Sequence, residues 1–194
     1  MIDSGVANLA SVLAALSRLG RAARATADAD LVRDADRIII PGVGAAAAAM
    51  ERLHGKGLVD VLRAAKQPVL GICLGMQLLF ARSEEGDGVD CLGVMAGNIT
   101  PLKAALALPV PHMGWNRIRT DGTHHSLLRG IADGSFMYFA HSFAAPPGNH
   151  ALAFAEYGRR FAAVVARENF FGCQFHPERS GRAGREFIAN FLGL

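Results

Sequence analysis

The sequence has few of the features that mark secreted, metal-binding or nucleic-acid-binding proteins. Its three cysteines are an odd number without metal-type spacing, which suits a reducing compartment better than a disulfide scaffold. The 20 basic and 17 acidic residues leave a net charge of only +3, and no run of basic residues could follow a phosphate backbone. We therefore expect no metal, no cofactor and no nucleic-acid partner.

A hydrophobic run long enough to cross a bilayer is also lacking. The most apolar stretch, residues 38–50, is interrupted by Pro41, Gly42 and Gly44. Residues 1–5 have neither the basic region nor the apolar centre of a signal peptide. With 51% hydrophobic and 19% charged residues, the sequence predicts one cytoplasmic domain over residues 1–194, without membrane attachment.

The first half of the sequence alternates helical patterns with short apolar strands. Helical spacing covers residues 8–19, stops at a glycine, and returns over residues 58–65. Residues 37–40 and 68–72 are apolar apart from Arg37, as expected for strands buried on both faces, and residues 73–82 follow as a predicted helix. This order predicts an α/β fold with a largely parallel central sheet flanked by helices.

The second half favours antiparallel strands. Short turns, such as the one at Gly158, separate the predicted strands and indicate hairpins. These strands cover residues 115–119, 136–139, 151–156, 162–166 and 172–175, and an amphipathic helix covers residues 183–192. We expect a mixed sheet with antiparallel additions in the C-terminal half. Residues 1–3 are too few for a complete first strand of such a sheet.

Residues 71–75, Gly-Ile-Cys-Leu-Gly, form a G-x-C-x-G pattern between a buried strand and a helix. This is the cysteine version of the nucleophile elbow, where a sharp turn between small residues exposes the nucleophile. The N-terminus of the following helix favours a thiolate at Cys73. The alternative is a buried structural cysteine in a Gly-rich turn.

A base and its orienting group occur together near the C-terminus. His176 follows a predicted strand, and Glu178 can turn back to the imidazole and fix its tautomer. Because active sites of open parallel sheets lie at the carboxyl edge, His176 and Cys73 are expected to meet there. Alone, His176 would suit an ordinary surface or core position. Cys91, in a loop, and Cys173, on a strand, are interpreted as structural.

Residues 41–44, Pro-Gly-Val-Gly, form a Gly-rich turn directly after a strand. The turn lacks the Lys-Ser/Thr of a P-loop, although it could still cradle a phosphate. Beside the elbow, its main-chain N–H groups could instead face the oxyanion of a tetrahedral intermediate. A plain tight turn is the alternative.

The loop of residues 111–116, Pro-His-Met-Gly-Trp-Asn, places a methionine beside the only tryptophan of the sequence. Methionine and tryptophan are enriched in protein–protein interfaces. The loop therefore favours a partner-binding surface, with a Trp that fills the core beneath a hairpin as the alternative.

In order and spacing, the motifs at residues 41–44, 71–77 and 175–178 resemble those of the class I glutamine amidotransferases, which have a flavodoxin-like fold. Residues 111–116 and 138–142 resemble, more narrowly, the family of glutaminase subunits of imidazole glycerol phosphate synthase. Residues 3–9 and 178–180 are also similar to that family, so the resemblance extends over nearly the whole chain.

The resemblance implies a reaction and its residues. Cys73, His176 and Glu178 would hydrolyse glutamine through a thioester, with main-chain N–H groups of Val43, Gly44 and Leu74 binding the oxyanion. The implied glutamine-binding residues are Gly42, Gly44, Gln77, Ser142 and Phe143. Ammonia would pass to a (βα)8-barrel cyclase subunit in a 1:1 heterodimer, where imidazole glycerol phosphate and an aminoimidazole carboxamide ribotide form. The residues implied to face that cyclase are Asn8, Met113, Trp115 and Arg179.

Three alternatives remain open at this point. The chain could serve another class I enzyme, such as anthranilate or aminodeoxychorismate synthase, and its partner would discriminate. It could hydrolyse γ-glutamyl peptides without a partner, which robust turnover by the isolated chain would reveal. It could also be an inactive regulatory module, although such a protein would be expected to have lost one of the three catalytic residues.

Overall fold

A computed structural model describes residues 1–3, 9–105 and 108–194. The helices are α1 (Leu9–Arg18), α2 (Ala29–Arg33), α3 (Ala46–Gly55), α4 (Leu58–Arg63), α5 (Leu74–Gln77) and α6 (Gly181–Leu192). The strands are β1 (Ile38–Ile40), β2 (Val69–Ile72), β3 (Phe80–Ser83), β4 (Val89–Asp90), β5 (Met95–Pro101), β6 (His112–Arg117), β7 (Phe136–His141), β8 (Phe143–Ala144), β9 (Ala151–Tyr157), β10 (Arg159–Arg167) and β11 (Phe170–Cys173). Two 3₁₀ turns cover Ser126–Leu128 and Pro177–Arg179.

The central sheet has the strand order β1-β2-β11-β10-β9. Strands β1, β2 and β11 are parallel, whereas β10 and β9 run antiparallel to their neighbours. Ile2 extends this sheet beyond β1, because its N–H donates to the carbonyl of Ile39 over 2.9 Å and it forms a parallel bridge with Thr26. The mixed α/β sheet predicted from the sequence is confirmed.

Apolar side chains cover both faces of this sheet. Along β1, Ile38 and Ile40 belong to one buried cluster with α3 and α4, while Ile39 belongs to a second cluster with α1 and α6. This alternation follows from the opposite directions of successive side chains on a strand. A strand buried on both faces must be apolar throughout, which explains the sequence of β1.

The predicted helix over residues 73–82 is wrong, because α5 ends at Gln77 and β3 begins at Phe80. The carbonyls of Leu78 and Leu79 accept hydrogen bonds from the N–H groups of Leu92 and Met95, each over 2.9 Å. These tertiary bonds replace the helical ones, so the chain leaves the helix and starts a second, four-stranded sheet with the order β4-β3-β5-β8.

The antiparallel second half agrees with the sequence-based prediction. The turn at Gly158 joins β9 to β10, and β6 pairs with β7 in a separate two-stranded hairpin. Strand β6 begins at His112, three residues before the predicted start, and β11 ends at Cys173, two residues before the predicted end. Among the described helices, none is both long and apolar enough to cross a membrane.

Candidate active site

Three adjacent parallel strands deliver the three sequence motifs to one edge of the sheet. Strand β1 leads into the turn at residues 41–44, β2 into Cys73, and β11 into the segment that contains His176. The register pairs Cys173 with Ile72, so β2 and β11 end side by side. The predicted meeting of Cys73 and His176 at the carboxyl edge is therefore confirmed.

Cys73 occupies the sharp turn of the elbow. Its backbone, with φ 54° and ψ −110°, has the positive φ that non-glycine residues seldom adopt. The N–H of Cys73 donates to the carbonyl of Cys173 over 2.8 Å, which ties the turn to β11. This hydrogen bond helps to hold the strained turn and fixes the position of the Cys73 main chain, from which the side chain extends.

The glycines on either side of Cys73 are required by close approach. A Cβ atom at Gly75 would lie 1.8 Å from the carbonyl oxygen of Ile40, and one at Gly71 would lie 2.5 Å from the carbonyl oxygen of Gly75. Both distances are shorter than any real contact, and neither glycine has a positive φ. The sequence motif thus encodes how closely the elbow packs, while the strained φ is at Cys73 itself.

His176 and Glu178 form a buried pair beside the elbow. The His176 Nδ1 lies 3.0 Å from Glu178 Oε1, and the two side chains are 11% and 3% exposed. Burial lowers the pKa of His176, but interactions with the Cys73 and Glu178 side chains outweigh burial and raise the pKa to about 10. Such a histidine can carry a proton at neutral pH and donate it to a leaving group.

The Pro-Gly-Val-Gly turn packs against the start of α5. A Cβ atom at Gly42 would lie 2.7 Å from the Cβ of Leu74 and 2.8 Å from the N of Gly75, so only glycine fits. Gly44 has a φ of 94°, and Val43 is 37% exposed. The residues predicted to bind an oxyanion, Val43, Gly44 and Leu74, therefore surround one space next to Cys73.

These residues open into a cavity of about 430 Å³. The predicted site residues that line it are Val43, Gly44, Cys73, Leu74, Gln77, Met113, Ser142, Phe143, His176, Glu178 and Arg179. Gly42 lies behind the lining, Trp115 lies on β6 outside it, and Asn8 lies outside the described residues. A second cavity, of about 600 Å³, lies beside Met1, Arg24 and Leu192 and contains none of the predicted site residues.

Sequence-based reasoning missed several polar residues at this cavity. Glu85 and His141 line it, and Gln174, fully buried, lies behind Cys73. Gln77 Nε2 donates to the Phe143 carbonyl over 2.8 Å and to Gln174 Oε1 over 3.0 Å, and Gln174 Nε2 lies 3.8 Å from the Cys73 sulfur. The sequence did contain a signal for Gln174. A glutamine next to the end of a buried strand needs hydrogen-bond partners, because burying an unpaired amide is costly.

The family model for class-I glutamine amidotransferases matches residues 1–193. The chain belongs to this family. It is 47% identical to the imidazole glycerol phosphate synthase subunit HisH of Escherichia coli K12 over 194 residues, which are 100% of this chain and 98% of that protein. The HisH subunit of Salmonella typhimurium LT2 has the same identity and coverage. Within the amidotransferase family, the chain is thus related to the HisH subunits.

Solved structures agree with the amidotransferase fold. The crystal structure of a glutamine amidotransferase has a TM-score of 0.75 and 17% identity, with 99% of this chain and 96% of that chain covered. The glutaminase domain of Trypanosoma brucei CTPS, with bound acivicin, has a TM-score of 0.62 and 14% identity over 95% and 88% of the two chains. At these identities the likeness supports the fold alone.

The rim of the amidotransferase cavity carries exposed apolar side chains. Met113 is 65% exposed and Trp115 is 56% exposed, so the alternative of a core tryptophan is wrong. The Trp115 ring meets Tyr138 edge-on, with centroids 6.0 Å apart, and the Arg179 guanidinium lies 5.8 Å from the Tyr138 centroid. We call Met113, Trp115, Tyr138 and Arg179 the rim surface.

Proposed function

We propose that this chain hydrolyses glutamine to glutamate and ammonia and supplies the ammonia to the cyclase subunit of imidazole glycerol phosphate synthase, in histidine biosynthesis. The observation that carries the chemistry is the cysteine elbow beside the buried His176–Glu178 pair. The pathway assignment is supported by the 47% identity to HisH subunits over the whole chain. We further propose that residues 1–194 form one glutaminase domain and that the protein is cytoplasmic.

In the first half of the reaction, the Cys73 sulfur attacks the side-chain amide carbon of glutamine. The carbon–nitrogen bond then breaks, and His176 gives its proton to the departing ammonia. The oxyanion of the tetrahedral intermediate accepts hydrogen bonds from the main-chain N–H groups of Leu74 and the Val43–Gly44 turn. Each such donor is typically worth a factor of about 10² to 10³ in rate.

In the second half, His176 removes a proton from water, and the resulting hydroxide attacks the thioester carbon. The carbon–sulfur bond breaks, glutamate leaves, and Cys73 returns as a thiolate beside the protonated imidazole. Glu178, bonded to His176 Nδ1, holds the ring in one orientation through both halves. Apart from glutamine and water, these steps use only groups of the chain, and they require neither a metal nor a cofactor.

The α-amino acid end of glutamine carries an ammonium group and a carboxylate group, and the site must offer hydrogen-bond partners to both. Both hydrogens of Gln77 Nε2 are already donated, so its Oε1 is the atom left for the substrate's ammonium group. Glu85 is a second partner for the ammonium group, because it lines the cavity and its Oε2 accepts from the Ala46 N–H over 2.7 Å, which leaves Oε1 for the substrate. Main-chain N–H groups of Ser142 and Phe143, together with the Gly42–Gly44 turn, complete the site.

The rim surface is the proposed contact with the cyclase, a (βα)8 barrel expected in a 1:1 complex. Met113, Trp115 and Arg179 are assigned to the contact together with Asn8, which lies outside the described residues. Exposed Met, aromatic and Arg side chains are the types enriched in interfaces. Because the rim surface borders the catalytic cavity, ammonia would leave towards the cyclase, which uses it to form imidazole glycerol phosphate and the ribotide.

The deciding experiment measures glutamate release from glutamine by the chain alone, and with the matching cyclase and its substrate. We expect strong stimulation by the liganded cyclase, and a loss of at least about 10³-fold in Cys73→Ala. Cys91→Ala is the matched control: Cys91 is buried in a loop, and burial raises the pKa of its thiol to about 11. Turnover that ignores the cyclase would contradict the pathway, and turnover by Cys73→Ala would contradict the chemistry.

A further inference from the structure

At the wall of the catalytic cavity, two buried histidines form a pair that the catalytic steps do not use. His112 on β6 and His141 on β7 are directly opposite each other in the hairpin and are 3% and 5% exposed. His112 Nδ1 and His141 Nε2 are 3.1 Å apart. Buried polar side chains that face each other in this way require a reason.

Packing alone does not require imidazole rings at these positions. His112 stacks between Phe139 and Tyr157, with ring centroids 4.9 Å and 4.0 Å away, and His141 meets Phe161 edge-on at 5.1 Å. Phenylalanine rings would suit such aromatic surroundings and would avoid the cost of burying polar atoms. The polar contacts of the two histidines must therefore supply the reason for their presence.

The position of every proton in this pair follows from its neighbours. The His141 Nδ1 lies 2.8 Å from the Phe143 carbonyl oxygen, which can only accept, so Nδ1 carries the hydrogen. The neutral Nε2 of His141 then accepts from His112 Nδ1–H. The His112 Nε2 lies 3.4 Å from Asn116 Nδ2, which also donates to the Glu156 carbonyl over 2.9 Å. The chain of hydrogen bonds thus runs in one direction, from Asn116 to Phe143.

Both histidines are neutral in this arrangement. Burial lowers the pKa of His112 to about 4. Burial also lowers the pKa of His141, to about 3, assisted by the charges of His176 and Arg159 against the opposing hydrogen bond to Phe143. A proton on His141 Nε2 would place two N–H groups against each other across 3.1 Å, and a proton on His112 Nε2 would face the Asn116 amide N–H groups across 3.4 Å. The neutral pair therefore keeps His141 as a donor towards Phe143.

The chain of hydrogen bonds ends at the proposed glutamine site. The Phe143 carbonyl accepts from His141 Nδ1 and from Gln77 Nε2, each over 2.8 Å, so both of its lone pairs are filled. That oxygen is consequently not free for substrate. These two hydrogen bonds instead fix the orientation of the main chain at Phe143 and the position of the Gln77 amide. Phe143 and Gln77 both line the cavity.

We propose that His141, supported by His112, is a positioning residue for glutamine: it holds the Phe143 carbonyl, and through it the Ser142–Phe143 main chain and Gln77, in the orientation that binds the α-amino acid end of the substrate. This inference rests on the proposed glutaminase function. It assigns no proton transfer to His141, whose donor hydrogen stays on Nδ1.

The test compares two polar substitutions at His141 in the complex with the cyclase. His141→Asn places an amide N–H near the position of Nδ1 and retains the donor to Phe143. His141→Gln reaches the Nε2 position, retains a contact with His112 and loses that donor. We expect the KM for glutamine to rise roughly tenfold in the Gln variant, with a smaller change in kcat, and about threefold or less in the Asn variant, because an unpaired buried acceptor is costly.

A second readout separates positioning from general damage to the site. Acivicin, a glutamine analogue, and iodoacetamide, which lacks the amino acid end, are both expected to alkylate Cys73. The Gln variant should react about tenfold more slowly with acivicin. Its rate with iodoacetamide should stay within about twofold of wild type. His54→Gln, at an exposed helical position, is the control and should match wild type in both.

Equal KM values for the Asn and Gln variants, or an equal slowing with both reagents, would overturn the positioning role. Failure of the proposed function itself would be visible in the wild-type complex, as no glutamate release and no acivicin reaction at Cys73. The two failures are therefore distinguishable. The Asn–Gln contrast needs only two polar variants that fold, and does not depend on an apolar substitution at a buried site.

Discussion

The cysteine elbow and the β6–β7 hairpin both border the cavity, but they distribute their side chains in opposite ways. Within the elbow, the buried side chains of Ile72, Leu74 and Met76 are apolar, and the contacts that set the geometry are between main-chain atoms, as between Gly75 and Ile40. Along β6 the buried residue is His112, whereas Met113 and Trp115 are 65% and 56% exposed. Strand β6 thus buries a polar side chain and exposes apolar ones, whereas β7 buries Met137 and Phe139 as well as His141.

The difference follows from what each region must hold. The elbow fixes one sulfur atom, and close packing of backbone does this with a few glycines. The hairpin has two faces, because successive side chains of a strand point in opposite directions. Its inner face carries the hydrogen-bond chain to Phe143, and its outer face carries the rim surface. A strand such as β6, with polar side chains buried and apolar ones exposed, is costly for folding. Both of its faces therefore indicate function rather than stability.

Gly75→Ala should have the largest effect of the changes considered. It tests whether close packing of the main chain sets the geometry of the elbow. The added Cβ would lie 1.8 Å from the Ile40 carbonyl oxygen, so either β1 or the elbow must move. We expect a loss of more than about 4 kcal/mol in the free energy of unfolding, measured by urea denaturation. Gly55→Ala is the control: it has no atom within 4 Å of the new Cβ and should change stability by about 1 kcal/mol or less. A Gly75→Ala protein as stable as wild type would refute the close approach.

The elbow could be predicted from the sequence because its determinants are local. Residues 71–75 contain the strand end, the nucleophile and both glycines, so the pattern alone indicates a sharp strand–turn–helix. His176 and Glu178 were predictable for the same reason, since base and orienting group are only two positions apart in the sequence. Their convergence with Cys73 required one further assumption, that parallel strands end at the same edge, and the structure confirms it.

The hydrogen-bond network could not be predicted, because its partners are distant in sequence. Gln174 and Cys73 are 101 residues apart, and His112 and His141 are 29 apart. The same limit explains the wrong helix over residues 73–82, where N–H groups from Leu92 and Met95 take the carbonyls that a longer helix would need. The local sequence pattern indicates which secondary structures a segment can form. Where helix and strand are nearly equal in stability, only tertiary contacts decide between them.

Lowering the pH should have the next largest effect on the free energy of unfolding, and it tests the buried histidines on the inner face of the hairpin. The pKa values of His112 and His141 are about 4 and about 3 in the folded chain, below the ordinary value of 6.5. As pH falls below 6.5, the unfolded chain binds protons that the folded chain does not, so stability decreases. At about 1.4 kcal/mol per pH unit for each histidine, the two together lose up to about 4 kcal/mol between pH 6.5 and 5.

His176 does not contribute in that pH window. Its pKa is raised to about 10 in the folded chain, so its stabilising effect is complete below pH 6.5 and is lost only as pH rises towards 10. The measurement is the slope of unfolding free energy against pH for wild type and for the double variant His112→Asn/His141→Asn. A slope as steep in the double variant as in wild type would show that other groups cause the acid sensitivity.

Trp115→Ala should have the smallest effect, and it sharpens the comparison on the outer face. Trp115 is 56% exposed, so its removal should change the free energy of unfolding by about 0.5 kcal/mol or less. As the largest side chain of the rim surface, it should instead cost about 2 kcal/mol of cyclase binding, roughly a 30-fold increase in Kd by calorimetric titration. Phe136→Ala is the matched control, an aromatic side chain 49% exposed on the same hairpin but outside the rim surface. If the two substitutions weaken binding equally, the cyclase contact extends along the whole outer face. If neither does, the exposed tryptophan has another role, and the inverted polarity of β6 is explained by its inner face alone.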